Sequence, residues 1–143
     1  MTEERLTTLE RIHRAARAEF LEKGFRSASL RSIVKSLGMT TGAFYGYYKS
    51  KEALFEALVG EHYRYLITRF TDAQRQFAQL PCERQPEVLV ELSGACMFDM
   101  LHYAYAHLEA CKLILCCAEG TRFAGLIAVS YTHLRAHETR HDL

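Results

Sequence analysis

The stretch Ser29–Lys51, SLRSIVKSLGMTTGAFYGYYKSK, constrains this chain more than any other part of it. Leu30, Ile33, Val34 and Leu37 recur at helical spacing, and Ser29 stands before them as a good N-cap. Gly38 then ends the pattern, because a left-handed backbone is cheap only without a Cβ. Met39 is an apolar turn residue. Thr40 or Thr41 caps a further helix predicted to carry Phe44, Tyr45, Tyr47 and Tyr48. Two helices this short are not stable alone. They must be locked at a fixed angle by shared apolar residues, and Ile33, Val34, Leu37, Met39 and Phe44 are placed to do so. The pattern predicts a helix-turn-helix over about 29–48.

The flanks agree with an all-α fold. Leu6, Leu9, Ile12, Ala16 and Phe20 lie on one face of a helix running to about Lys23, with Gly24 ending it and Phe25 folding back. Ser50 caps a fourth helix with Glu52 in its first turn, and its apolar positions continue from Leu54 to Leu66. This helix is predicted to reach about Gln79, with Pro81 and Pro86 bracketing the loop that follows. Val88, Leu89, Leu92, Ala95, Cys96, Met100, Tyr103 and Ala104 mark another amphipathic helix, and Leu108–Ala118 reads as a helix buried all round. Only 2 prolines interrupt 143 residues, so long helices are permitted throughout.

The residue types in the third helix fit a surface that meets nucleic acid. Small residues at its start, Thr40 to Ala43, allow close approach to base edges and phosphates. Tyrosine hydroxyls reach phosphate oxygens, and Lys49 and Lys51 add cations beside the next helix N-terminus. The overall charge of +1 hides an asymmetry. Residues 1–66 hold eleven Lys and Arg against eight acids, whereas residues 67–128 hold five against seven. A basic front half fits the same reading.

The segment GFRSASLRSIVKSLGMTTGAFYGYYKSKEALFEALV resembles the TetR-type DNA-binding domain. Gly24–Phe25 matches the family's Gly–aromatic turn, Gly38–Met39–Thr40 its Gly–apolar–Ser/Thr turn, and Lys49–Phe55 its Lys-x-Lys-Glu-x-Leu-Phe run. The resemblance covers about residues 5–66. It implies an all-α chain: a three-helix TetR-type domain, then a partial helical ligand-binding and dimerisation domain over 67–128. It implies a ligand-responsive repressor, with double-stranded operator DNA and a small-molecule inducer as partners of a homodimeric parent. Carried over by position, the DNA contacts are Ser29, Arg31, Thr40, Thr41, Ala43, Tyr45, Tyr47 and Lys51. Phe44 and Tyr48 are expected in the core. Two positions depart from the pattern. Gly46 stands where a larger residue is common, and Ser32 replaces a common acidic capping partner, which predicts a weaker N-cap for the second helix.

Met97, Phe98, Met100, Tyr103 and Tyr105 are expected as core rather than pocket lining, and no ligand residue is assigned. His107 and Cys111 are four apart and have zinc-binding chemistry. Reduced, buried thiols are nonetheless the expectation for Cys111, Cys116 and Cys117, with no metal and no cofactor. No Gly-rich phosphate loop, Gly-x-Ser-x-Gly or placed carboxylate pair occurs, so no enzyme activity is expected. The opening residues are polar and no apolar run approaches the roughly 20 residues of a membrane span, which predicts a cytoplasmic protein. Val129–Thr139, VSYTHLRAHET, resembles a translated sequencing adapter, so 129–143 is read as a non-native tail. The His133, His137 and His141 spacing is then incidental. A chain cut short there is expected to dimerise poorly, since the parent's final helices build its two-fold interface.

Overall fold

The computed structural model describes residues 7–126. Six helices follow in order: α1 Thr8–Ser27, α2 Leu30–Leu37, α3 Thr41–Tyr45, α4 Lys51–Gln79, α5 Gln85–Ala106 and α6 Leu108–Cys116. The class is all-α, as expected. The expectations for 129–143, including His133, His137 and His141, fall outside the described residues.

Two compact units divide the chain. One takes residues up to Glu61 together with Glu109–Ala124, and the other contains His62–Leu108. The division falls inside α4, near the expected boundary at 66. The difference lies further on: residues 109–124 belong with the first unit rather than with the helices that precede them.

In the first unit, α1 begins with a capping box that the sequence reading did not include. The Thr7 hydroxyl accepts the Glu10 N–H, and the Glu10 carboxylate accepts the Thr7 N–H at 2.8 Å. Ile12, Ala16 and Phe20 are its buried stripe. At Gly24 the backbone leaves helical geometry, with φ 74° and ψ 166°, a region that favours glycine. This kink carries Phe25 back over the core, where its ring lies 6.0 Å from Phe20 and 5.4 Å from Phe55. Phe20 and Phe55 meet edge-on at 5.1 Å, a favourable aromatic geometry. The same kink frees the Phe25 N–H from the helix ladder, and the Cys117 carbonyl accepts it at 2.9 Å.

That bond helps explain why α6 belongs here. Ala110, Cys111, Leu113 and Ile114 are buried, and beyond the helix Phe123 packs on Phe55. The helix is not buried all round, however. Leu108, Leu115 and Cys116 are exposed, so α6 is amphipathic despite its composition.

The second unit pairs the later part of α4 with α5. Pro86 lies in the first turn of α5, at the far edge of the loop, where its missing N–H costs nothing. The Tyr65 and Tyr103 rings stack at 3.8 Å, and Arg69 pairs with Asp99 at 2.7 Å. Core packing was expected for the large α5 residues. Instead Met97, Phe98 and Tyr105 are exposed, the last by 85%. No helix among the described residues is long and apolar enough to cross a membrane.

Candidate nucleic-acid interface

Helix α2 is held at both ends by α1. At its start, the Ser29 hydroxyl accepts the Ser32 N–H at 3.3 Å, an ordinary N-cap. The Ser29 N–H in turn donates to the Glu19 carboxylate at 3.2 Å. Ser32 was expected to leave this cap weak, because it cannot act as the acidic partner of a capping box. The correction is tertiary: Glu19 supplies the carboxylate from α1. Lys23 donates to the same oxygen at 2.8 Å. These bonds, the Lys23 one foremost, hold Glu19 below the usual carboxylate range. At the far end, the Arg11 guanidinium donates to the Leu37 carbonyl at 3.2 Å. An anion at the N-terminus and a cation at the C-terminus both complement the helix dipole.

Gly38 then adopts φ 64° and ψ 22°, and its N–H returns to the Lys35 and Val34 carbonyls. This is the left-handed cap that the sequence predicted. Thr40 caps α3, its hydroxyl accepting the Ala43 N–H at 3.2 Å. Phe44 is fully buried and pins α3 to the core. Around it Thr40, Thr41, Gly42 and Ala43 are exposed, and Tyr45 and Tyr47 are about half exposed at 48% and 47%.

The helix was expected to carry Tyr47 and Tyr48 as well, but it ends at Tyr45. Gly46 is its C-cap. The turn tightens there, with the Gly46 N–H on the Ala43 carbonyl at 3.3 Å and the Tyr47 N–H on Phe44 at 2.9 Å. Glycine is a poor residue for extending a helix. Tyr47 and Tyr48 therefore follow α3 as an ordered turn. Tyr48 is only half-buried rather than core, and its hydroxyl shares a hydrogen bond with His13 Nε2 of α1. Burial raises the Tyr48 pKa. Burial first, and then the Arg17 charge, lowers that of His13.

The structure brings most of the expected contact residues together. Ser29, Arg31, Thr41 and Tyr45 line one cleft of about 410 Å³, floored by Val34 and Phe44. Thr40, Ala43 and Tyr47 lie exposed nearby along the α3 segment. Lys51 stands apart. Its ammonium donates to the Arg26 and Ala28 carbonyls, each at 3.2 Å, and lies 4.5 Å from the Phe25 ring centroid. Carbonyls at a helix end lack ladder partners, and a lysine that reaches them is a natural cap. Glu19, Arg11 and His13, which position this face, carry no local sequence signal of that role.

The alternative chemistries gain little. His107 ends α5 in a non-helical conformation, so it and Cys111 do not form the shared helix face that their spacing implies. Among the described residues, no group of three or more His, Cys, Asp or Glu is arranged to hold a metal. Cys111 is buried, which raises its thiol pKa, but Cys116 is exposed and Cys117 only partly covered, contrary to expectation.

Comparison with known proteins places this geometry. Residues 12–58 match the family described as bacterial regulatory proteins, tetR family. The chain is 39% identical over 72 residues to the HTH-type transcriptional regulator UidR of Escherichia coli K12, covering 50% of this chain and 37% of that protein. It is 30% identical over 111 residues to the probable HTH-type transcriptional regulator YttP of Bacillus subtilis, covering 77% of this chain and 50% of that one. The chain thus spans half or less of the length of these curated relatives. The capped α2–turn–α3 unit lies inside the matched segment, so residues 12–58 form a DNA-binding domain like that of the tetR family of bacterial regulatory proteins.

Proposed function

We propose that this chain is the DNA-reading part of a transcriptional regulator, a ligand-responsive repressor rather than an enzyme. The observation that carries it is the division of α3. Phe44 is buried, whereas Thr40, Thr41, Ala43 and Tyr45 are exposed on a helix fixed by Gly38 and Thr40, with Tyr47 exposed in the turn that follows it. Such a helix can enter a major groove with its small residues against base edges. Arg31 and Ser29, at the start of α2 in the shared cleft, are in reach of the flanking phosphates. Lys51 is retained as a phosphate contact in a secondary role, since its ammonium also serves the α1 carbonyls.

One such unit reads one half-site, so a pseudo-palindromic operator and a homodimeric parent follow. The inducer is assigned to the helical second unit, and the protein acts in the cytoplasm. Gel-shift titration against fragments of the flanking genomic DNA tests the reading. Selective binding that weakens steeply with salt is expected. Equal binding to every fragment, or none by a full-length form, overturns it.

A further inference from the structure

The second unit contains a half-open pocket of about 300 Å³, lined from α4 by Phe70, Gln74 and Phe77 and from α5 by Leu89, Cys96 and Met100, among others. Its walls are almost entirely apolar. The polar side chains that reach it are mostly satisfied: Ser93 Oγ donates to the Leu89 carbonyl at 2.6 Å, and the Cys96 thiol points to the Arg69 carbonyl at 3.9 Å. Gln74 differs. Its side-chain nitrogen is buried and is the one such buried atom among the described residues with no hydrogen-bond partner. A buried donor left unmade is costly, and native structures keep few of them.

From this we infer that the pocket is a ligand site, and that its ligand is a neutral, two-ring-sized apolar molecule bearing one hydrogen-bond acceptor for Gln74. Size follows from volume: a dry apolar cavity of roughly 150 Å³ accepts benzene, so twice that holds a fused pair of rings. Neutrality follows from the lining, which contains no charged side chain. The nearby Arg69 and Asp99 neutralise each other at 2.7 Å. The acceptor follows from Gln74, whose amide gains a partner after a rotation about its own side-chain bonds. Orientation by one polar group in an apolar pocket is the usual basis of small-molecule selectivity. The inference rests on the ligand-responsive reading above and gives that ligand its chemistry.

The test compares acetylnaphthalene with isopropenylnaphthalene, in which a methylene replaces the carbonyl oxygen. Binding to the whole chain is followed by probe fluorescence, which no tryptophan obscures. Relative to its methylene twin, the carbonyl probe should lose roughly tenfold in affinity on Gln74→Leu, the value of one hydrogen bond. A control on α5 outside the lining, Glu91→Gln, should leave that ratio unchanged. Independently of any variant, the Gln74 side-chain amide resonance should move with the carbonyl probe and not with its twin. An unchanged ratio in Gln74→Leu, or an amide that ignores both probes, overturns the inference. So does exclusion of both probes, as would follow if a second copy of the chain filled the pocket. No DNA is present, so this outcome is separate from that of the gel shift.

Discussion

The Glu19 carboxylate accepts the backbone N–H of Ser29 at 3.2 Å, and so completes from α1 the cap that opens α2. Glu19→Ala leaves that N–H without its partner and is expected to cost about 1–2 kcal/mol in urea unfolding. Glu19→Gln keeps an acceptor oxygen and should recover most of the loss. Equal losses in the two variants would show that the carboxylate matters through charge alone. Glu19 has a lowered pKa in the fold, with an ordinary value of 4.5. Its contribution is therefore complete above pH 4.5 and disappears as pH falls from there through the folded value.

Tyr47 and Tyr48 are neighbours with different surroundings. Tyr47 is half exposed beside α3, while the Tyr48 hydroxyl is held by His13. Tyr47→Phe should weaken operator binding and leave the melting temperature nearly unchanged. Tyr48→Phe removes a partly buried hydrogen bond and should cost about 1 kcal/mol of stability. If Tyr47→Phe destabilises and binds normally, its hydroxyl belongs to the fold.

Burial of His13, with the nearby Arg17 charge, also sets a pH dependence. His13 titrates lower in the fold than its ordinary 6.5, so the unfolded chain takes up its proton first. Stability from this group is complete above pH 6.5 and falls as the pH drops from there to the folded value. Chemical denaturation across that window should show the decline, and His13→Gln should flatten it. A decline of equal size in the variant would assign it to other groups.

Lys51 separates two roles by measurement. Its ammonium reaches the Arg26 and Ala28 carbonyls, so Lys51→Met should destabilise the first unit by about 1–2 kcal/mol. Operator affinity of the folded variant should fall too, with a shallower salt dependence, because a phosphate contact releases counterions. An unchanged salt slope alongside lost stability would confine Lys51 to the fold.

The local features of the reading unit were legible in sequence because each depends on a few neighbouring residues. Ser29 caps Ser32, Thr40 caps Ala43, Ser50 caps Ala53, and Gly38 turns the chain where no side chain can. These relations close within three or four residues, and side-chain type alone fixes them. Gly46 was legible as a departure, but its effect of ending α3 before Tyr47 depends on how the next turn packs.

Ser29–Lys51 and its flanks thus determined, without any structure, where α2, α3 and α4 start and which family the chain resembles. Tertiary structure alone decided which groups those ends meet. Ser29 finds Glu19 ten residues away, Lys51 finds Arg26 twenty-five away, and Tyr48 finds His13 thirty-five away. It also sent 109–124 to the first unit, and left Gln74 buried without a partner in an apolar wall. Such pairings depend on where whole helices come to rest, a property of the packed chain that no short window of sequence contains.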